Sequence, residues 1–460
     1  MSTTATLRTT LLPLGLLACL AAAQAQTFEL PPQATILPGD PVALRITGLP
    51  PGTEVQVQAR RPRAEWGPAV VFQSAARFVA DAQGTVDLGR DAPRNGSSYE
   101  GADLRGLFWS MQPTPESAPA DWPQNQVRLQ AQVDGKPPVQ AQLTLIGQRP
   151  DLRSVPAEGF PGAMLYRPND DAERPAIIML GGSEGGSMSS RRAAGLWASQ
   201  GYAVLALPYY SPAVWAPDDK GQPRPQPPEL PALPASFVDI PVDRLDAARA
   251  WLQAQPGIAK DRIGLFGGSK GAEFALIAAT RMPWVKAVVA YVPTDVVWEG
   301  WGPDAPTPGL RSSFSWKGEA LPFVPYRDMA SEMQALMRGG EARLRRMHDG
   351  GRAEHPQRVA AARIPVEHYK GPLLLVGGGD DQMWASGDMA QRIADTRRAA
   401  GLPTVLKVYP EAGHAITAPG WGPTTTTNAG PMKMGGQPTA DARAQADAFE
   451  ATRLFLQQHL

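Results

Sequence analysis

Apolar and polar residues follow two different periods along the chain, and the change falls near residue 150. Between about 28 and 146, three segments alternate apolar and polar residues with a period of two, which is typical of strands with one buried face. These segments are 42–46, 55–58 and 127–133. Turn-forming sequences, LPPG at 49–52 and DGK at 134–136, separate them. The pattern predicts a small antiparallel β-sandwich over residues 26–150.

From about residue 151, continuous apolar runs alternate with amphipathic segments of helical period. Short apolar runs of this kind are typical of strands buried on both faces of a parallel sheet. Strands are expected at 176–180, 202–208, 263–266, 373–376 and 405–409, and helices at 242–253 and 440–460. The alternation predicts an α/β region, a mostly parallel, doubly wound sheet, over residues 151–460. A Pro-rich stretch at 211–236 is expected to be irregular, and an aromatic-rich insertion interrupts the region at 298–326.

The segment 262–279, RIGLFGGSKGAEFALIAA, combines an apolar strand, a glycine-rich turn and a helix rich in alanine. Ser269 stands in the turn within the pattern G-x-S-x-G, in the strand–turn–helix context of a nucleophile elbow. Such a turn is so tight that side chains two residues on either side would collide, so Gly267 and Gly271 flank it. The serine then lies at a helix N-terminus, where negative charge is stabilised. We therefore predict that Ser269 is a nucleophile.

A serine nucleophile requires a general base, and His414 is the best placed of the five histidines. It lies on the loop after the expected strand 405–409, at the carboxyl edge of the sheet, where α/β sites are built. His348 and His355 lie in a charged, arginine-rich segment and are expected to be solvated. His368 precedes a strand and is at the wrong end of the sheet, and His459 is penultimate.

The acid that orients the histidine is expected on the loop after strand 373–376, which reads GGGDDQMW. Asp381 is favoured, because the spacing Gly378-x-x-Asp381 lets a short turn direct the carboxylate toward the histidine. Asp380 is one residue away and remains an alternative, or a residue that supports the site. Asp295, after the preceding strand, is a third candidate and is more typical of a turn residue.

The glycine-rich sequence GGSEGG at 181–186 follows the strand expected at 176–180. It lacks the G-K-[ST] ending of a phosphate-binding loop. In a hydrolase it would instead offer a backbone N–H to an oxyanion, and we predict that Ser183 and Lys270 supply these two N–H groups. No His, Cys or Asp cluster has the spacing of metal ligands, so neither a metal nor a cofactor is expected.

The first 25 residues have the features of an export signal. Arg8 supplies the positive end, 11–23 the apolar region, and Ala23-Gln24-Ala25 a small-x-small cleavage site. We expect an exported, periplasmic protein that begins at Gln26. The alternative is a lipoprotein anchored at Cys19, although the preceding residues match a lipoprotein site poorly.

Composition narrows the remaining classes of function. Cys19 is the one cysteine, so the mature chain would have no disulfide and no cysteine nucleophile. Lys plus Arg and Asp plus Glu each number 44, and this balance does not indicate a nucleic-acid partner. No segment of the mature chain is expected to span a bilayer.

The chain resembles the acyl-CoA thioesterase and bile-acid-CoA:amino-acid N-acyltransferase family over nearly all of its mature length. The matching segments, in order, are ARFVADAQGTVDLGRDAP, GLFWSMQP, GYAVLALPYY, GLFGGSKGAE, SWKGEALPFVP, LLLVGGGDDQMW, YPEAGH and QADAFEATRLFLQQHL. The resemblance implies an immunoglobulin-like β-sandwich domain at 26–150 and an α/β-hydrolase catalytic domain at 151–460. It also places the family's nucleophile, acid and base on Ser269, Asp381 and His414.

The resemblance implies a serine hydrolase that cleaves a small-molecule acyl thioester or ester through an acyl-enzyme. The family's amide-forming members carry cysteine at the nucleophile, so Ser269 resembles the hydrolytic branch. An exported carboxylesterase and an N-acyltransferase remain alternatives, whereas a non-enzymatic surface module would need a broken triad. The insertion at 298–326 is either a lid over an acyl chain or a packed excursion. Phe108, Trp109 and Met111 are expected in the β core rather than against the second domain.

Overall fold

The computed structural model describes residues 25–64, 68–217, 223–305, 307–342 and 344–460. The export signal expected at 1–25, including Cys19, therefore lies outside the described residues except for its last position. Within the described residues, no helix combines the length and the apolar character needed to cross a membrane.

The N-terminal part is built from short and medium strands with one brief helix. Its elements are β1 (Thr27–Glu29), β2 (Thr35–Ile36), β3 (Arg45–Thr47), β4 (Glu54–Arg63), β5 (Val70–Val79), β6 (Val86–Asp87), α1 (Gly106–Trp109), β7 (Gln112–Ser117), β8 (Gln126–Gln132) and β9 (Val139–Leu145), with a 3₁₀ turn at Pro32–Ala34. They form one sheet in the order β1-β3-β6 and another in the order β2-β9-β8-β4-β5-β7. The strand expected at 42–46 begins only at Arg45.

The two N-terminal sheets enclose a common apolar core. Ile46 and Val86 of the smaller sheet join Val57 and Phe78 of the larger sheet in one buried cluster. The alternating pattern of β4, with every second residue buried from Val55 to Ala59, supplies this face. The β-rich, two-sheet architecture expected from the period of two is therefore present.

Helix α1 belongs to this core and also contacts the C-terminal part of the chain. The ring of Phe108 lies 5.1 Å from that of Trp421 in an edge-to-face contact. The N–H of Thr424 donates a hydrogen bond of 3.1 Å to the carbonyl oxygen of Trp109. Both interpretations of the Phe108–Met111 segment thus hold, because it packs in the β core and against residues 421–425.

The remaining chain alternates strands and helices. Its strands are β10 (Arg153–Pro156), β11 (Met164–Arg167), β12 (Arg174–Leu180), β13 (Ala203–Ala206), β14 (Val214–Pro217), β15 (Pro223–Gln226), β16 (Ile240–Pro241), β17 (Ile258–Gly268), β18 (Val288–Tyr291), β19 (Phe314–Trp316), β20 (Glu319–Ala320), β21 (Leu373–Gly378) and β22 (Thr404–Tyr409). Its helices are α2 (Met188–Ser199), α3 (Arg244–Gln253), α4 (Lys270–Ala279), α5 (Met329–Met337), α6 (Leu344–Glu354), α7 (Pro356–Ala362), α8 (Ser386–Ala399) and α9 (Pro438–His459), with 3₁₀ turns at Val366–His368 and His414–Thr417.

An eight-stranded sheet organises this region in the order β10-β11-β13-β12-β17-β18-β21-β22. The pairs from β13 to β22 are parallel, and β10 and β11 form an antiparallel edge. Helices α3, α4 and α8 cover one face, and α2 and α9 cover the other. The predicted fold class, a mostly parallel α/β sheet, is confirmed. The stretch expected to be irregular at 211–236 contains the hairpin β14–β15.

The aromatic insertion at 298–326 is mostly packed inside the protein. Trp298 and Phe314 are fully buried, and β19 pairs with β16 beside the main sheet. Trp301 and Tyr326 instead line a large cavity. The insertion is therefore a packed excursion that also forms part of a cavity wall.

Candidate active site

The turn between β17 and α4 holds Ser269 in a strained conformation. Its φ and ψ are 57° and −125°, a region that residues other than glycine rarely adopt. A Cβ on Gly267 would lie 2.0 Å from the carbonyl oxygen of Gly271, and one on Gly271 would lie 2.4 Å from that of Gly181. The turn can therefore form only with glycine at both flanking positions, as the G-x-S-x-G pattern predicted.

The structure brings Ser269, His414 and Asp381 together from three separate loops. His414 Nε2 lies 3.1 Å from Ser269 Oγ, and His414 Nδ1 lies 2.8 Å from Asp381 Oδ2. Asp381 is fully buried, and its Oδ1 accepts hydrogen bonds from the backbone N–H groups of Met383 and Trp384. Because the carboxylate can only accept, Nδ1 of His414 carries the proton and Nε2 is left to accept one from the serine.

The other two carboxylates considered from the sequence occupy different positions. Asp380 accepts hydrogen bonds from the backbone N–H of Gly436 at 3.0 Å and from the side chain of Gln382 at 2.8 Å. It therefore ties the segment near 436 to the loop that carries Asp381. Asp295 forms ion pairs at 2.8 Å with Arg352 and 2.7 Å with Arg392, so both of its carboxylate oxygens are engaged by arginines.

The glycine-rich loop after β12 lies directly beside the elbow. A Cβ on Gly182 would lie 3.3 Å from the Cβ of Ser269. The N–H of Gly182 donates to the Glu184 carboxylate at 3.0 Å, and the N–H groups of Gly185 and Gly186 also have partners in this region. Across the residues that the structure describes, the N–H groups of Ser183 and Lys270 donate no hydrogen bond. These two donors, the pair predicted from the sequence, remain available to a bound oxygen.

Ser269 and His414 open into a cavity of about 930 Å³. Much of its wall is apolar and unusually rich in methionine. This part of the wall comprises Met329, Met333, Met347, Met383, Met432, Met434, Leu336 and Leu344. Another part carries Arg61, Arg63 and Arg192. Because methionine side chains are flexible and polarisable, such a wall adapts to an apolar chain of variable shape.

Comparison with known families matches both ends of the chain to one family. The family model described as "Acyl-CoA thioester hydrolase/BAAT N-terminal region" matches residues 39–157, and "BAAT / Acyl-CoA thioester hydrolase C terminal" matches residues 240–460. The chain belongs to the acyl-CoA thioester hydrolase/BAAT family. A model of the dienelactone hydrolase family also matches residues 162–304.

Relatives with established names are similar along nearly the whole chain. Acyl-coenzyme A thioesterase 6 of Mus musculus is 29% identical over 460 residues, covering 95% of this chain and 97% of that protein. The mitochondrial acyl-coenzyme A thioesterase 2 of Homo sapiens is 26% identical over 470 residues, covering 95% and 85% respectively. Acyl-coenzyme A thioesterase 1 of Homo sapiens is also 26% identical, over 467 residues. The family resemblance and the α/β-hydrolase fold are confirmed, as is the class, an acyl-CoA thioester hydrolase-like enzyme.

In this member of the thioester hydrolase/BAAT family, the prediction that His348 is solvated is wrong. His348 is not solvated: it is 3% exposed and packs against the rings of Trp298, Tyr326 and Trp384. Arg346, Asp349 and Glu354 of α6 are largely exposed. On the opposite side of the helix, Met347, His348 and Gly351 face inward. Burial lowers the pKa of His348 to about 3, so its ring is neutral. The spacing 347, 348, 351 is that of one helix face and was the signal available in the sequence.

The sequence also gave no indication of a buried ion pair next to the elbow. The Lys270 Nζ lies 2.6 Å from Glu273 Oε2 and donates to Ser313 Oγ at 2.9 Å. Three aromatic rings, those of Phe237, Trp301 and Phe314, surround the ammonium at 5.1, 5.5 and 5.2 Å. Glu273 Oε1 accepts a 3.0 Å hydrogen bond from the Trp298 N–H. The pair therefore fastens the aromatic insertion to the start of α4.

Proposed function

We propose that this protein hydrolyses acyl thioesters through an acyl-enzyme formed on Ser269. The observation that carries the proposal is the hydrogen-bonded series Ser269–His414–Asp381, with its serine open to an apolar cavity of about 930 Å³. A strained serine at the edge of a cavity, hydrogen-bonded to an imidazole that a carboxylate orients, is the arrangement that activates a hydroxyl for acyl transfer.

In the proposed reaction, His414 Nε2 takes the proton of Ser269 Oγ as the oxygen attacks the thioester carbonyl. Asp381 keeps the proton on Nδ1 and stabilises the imidazolium. The backbone N–H groups of Lys270 and Ser183 donate to the oxyanion, in a position where the N-terminal end of α4 adds a favourable field. The imidazolium then protonates the leaving thiolate, and water activated by His414 releases the acid.

We propose that the acyl group occupies the methionine-rich part of the cavity and that an anionic leaving group lies near Arg61, Arg63 and Arg192. Guanidinium groups form strong hydrogen bonds with phosphates, so these arginines are suited to bind the phosphates of coenzyme A. The relatives named acyl-coenzyme A thioesterase support the same leaving group. An aromatic or aliphatic acyl chain suits the apolar wall, so we place the substrate among lipid-type acyl groups.

A turnover comparison tests this function. One acyl group is presented as its coenzyme A thioester, as its N-acetylcysteamine thioester and as an oxygen ester, with Ser269→Ala as the control. We expect the highest kcat/KM for the coenzyme A thioester. Arg192→Gln should raise KM for that substrate and leave the phosphate-free thioester unaffected. Faster turnover of the oxygen ester would replace the proposal with the carboxylesterase alternative, and an amide product with a supplied amine would replace it with the acyltransferase.

We further propose that the chain is exported and begins at Gln26, on the basis of the leader at 1–25. Its natural substrate would then be a thioester or ester met outside the cytoplasm. N-terminal sequencing of the protein from fractionated native cells tests the proposal. An intact Met1 in the cytosol would contradict it, and a lipid-modified Cys19 would replace it with a membrane-anchored form.

A further inference from the structure

Two polar atoms beside the methionine-rich part of the cavity have no hydrogen-bond partner among the residues that the structure describes. They are Nε2 of His348 and Oη of Tyr326, and both residues line the cavity. His348 is 3% exposed and Tyr326 is 9% exposed, so each side chain is more than nine-tenths buried. In the described part of the chain neither atom forms a hydrogen bond, and neither is sealed off by packing. Both atoms therefore face the open space of the cavity.

The orientation of the His348 ring is fixed, which decides what its free nitrogen can do. Nδ1 lies 2.8 Å from the carbonyl oxygen of Leu344, and since a carbonyl only accepts, Nδ1 carries the proton. The ring is neutral because burial lowers its pKa. Nε2 is therefore a hydrogen-bond acceptor. Trp298 at 4.6 Å and Tyr326 at 4.9 Å hold the ring edge-to-face.

His348 lies close to the candidate catalytic centre. The rings of His348 and Trp384 are 5.2 Å apart, and the rings of Trp384 and His414 are 4.7 Å apart. One indole thus separates His348 from the base. An acyl chain bound in the methionine-rich part would pass this pair a short distance from its thioester carbon.

We propose that His348 and Tyr326 form a polar subsite that selects a thioester whose acyl chain carries a hydroxyl group. The inference rests on the proposed function and names its substrate class. A hydroxyl offers both a donor for Nε2 of His348 and an acceptor for Oη of Tyr326, and the rings of these two residues lie 4.9 Å apart. A carbonyl or carboxylate cannot donate to Nε2, and an ammonium would lose its hydration against the apolar wall. A buried acceptor left unpaired by a plain acyl chain disfavours that chain.

The test compares kcat/KM for matched pairs of thioesters, one plain and one with a single hydroxyl, as the hydroxyl is moved along the chain. We expect the wild-type protein to prefer the hydroxyl at one position by roughly tenfold. His348→Phe keeps an aromatic ring and removes the acceptor, and should bring this ratio close to one. Tyr326→Phe should lower the ratio in part, and His348→Gln, which retains an acceptor, should keep part of it. Arg346→Gln, an exposed residue of the same helix outside the cavity lining, is the matched control and should keep the full ratio.

Labelling of Ser269 by a fluorophosphonate counts competent active sites in each variant, so poor folding of one variant does not mimic a loss of preference. The same plain and hydroxylated acyl groups are also prepared as nitrophenyl esters. The preference for the hydroxylated acyl group should persist with this leaving group, even if the proposal of a coenzyme A leaving group fails. A ratio near one at every hydroxyl position in the wild-type protein would overturn the proposal. A preference that survives in both His348→Phe and Tyr326→Phe would also overturn it.

Discussion

Ser269 and Lys270 are neighbours in sequence, yet their side chains belong to two different polar clusters. Ser269 meets His414 and Asp381 at the edge of an open cavity. Lys270 turns into the protein, where Glu273 and Ser313 satisfy its ammonium. Both clusters are largely removed from water. The first leaves the serine oxygen accessible to a substrate, whereas the second is closed by three aromatic rings.

This difference shows that burial of charged residues does not by itself identify a catalytic site. Burial lowers the pKa of Lys270 and raises that of Glu273, and each group opposes this effect on the other. Such a pair connects two elements, here α4 and the aromatic insertion. We therefore expect substitutions in the first cluster to affect catalysis and substitutions in the second to affect stability.

The largest effect is expected for Ser269→Ala. Removal of the proposed nucleophile should lower kcat by about 10⁴ to 10⁶-fold, because the acyl-enzyme would form on this hydroxyl. The free energy of unfolding should change little or rise, since alanine at φ 57° retains the backbone strain but loses only one hydrogen bond. Steady-state turnover and a urea titration of the same preparation measure both quantities. Near-normal turnover would show that another residue is the nucleophile.

Asp381→Asn should be the next most harmful change, lowering kcat by about 10⁴-fold, because asparagine would favour the wrong tautomer of His414. Asp380→Asn is the matched control from the adjacent position. It retains an acceptor for the N–H of Gly436 and should cost far less activity. Measuring kcat of the two variants at one pH is sufficient to distinguish them. If Asp380→Asn is the inactive variant, the assignment of the acid is wrong by one residue, although the serine mechanism would stand.

The sequence was informative where function depends on local geometry. Ser269, Asp381 and His414 each follow a short apolar strand, and the carboxyl ends of parallel strands meet at one edge, so their proximity was predictable. The strand expected at 42–46 was less accurate: Val42, Ala43 and Leu44 precede β3, although Leu44 is fully buried. Leu44 reaches the core without belonging to the strand ladder, which periodicity alone does not distinguish.

Contacts between distant segments were not predictable from the sequence. Nothing local to Phe108 indicates that its ring meets Trp421, more than three hundred residues later in the chain. The same holds for the contact between Lys270 and Ser313, which lies in the insertion. The positions of the domain boundary and of the leader remain predictions.

Lys270→Met tests the second cluster. Because it leaves the Glu273 carboxyl buried without its partner, we expect the free energy of unfolding to fall by about 3–5 kcal/mol. The Lys270 N–H remains in place, so the folded protein should retain far more activity than Ser269→Ala. Urea denaturation of Lys270→Met and of the double variant Lys270→Met/Glu273→Gln makes the measurement. The double variant should recover part of the loss; equal loss in both would argue that the aromatic contacts matter more than the charge.

A smaller effect on stability is expected from the titration of Asp441, which contacts the loop that carries His414. Its Oδ1 accepts a 2.8 Å hydrogen bond from the Gly413 N–H, and its Oδ2 is buried without a partner. Burial raises the pKa of Asp441 to about 6, and the charges of Asp380 and Asp381 act in the same direction. The folded state therefore binds a proton more tightly than the unfolded state. The stability that results is present below pH 4 and is lost as the pH rises through 6.

The corresponding measurement is the free energy of unfolding between pH 4 and pH 7, in the wild-type protein and in Asp441→Asn. The contribution from Asp441 should decline by up to about 3 kcal/mol over this range in the wild-type protein and be absent in the variant. The difference between the two curves isolates this residue from other titrating groups. Parallel curves would show that Asp441 is ionised throughout.

The central claim is that Ser269 carries the acyl group during turnover. It is tested by mixing the protein with an acyl thioester, quenching in acid within the first turnover, and measuring the masses of the proteolytic peptides. We predict that the peptide containing Ser269 gains the mass of the acyl group and loses it on longer incubation, and that Ser269→Ala gains none. An acyl group found on another residue, or thiol release without any acylated peptide, would contradict the claim.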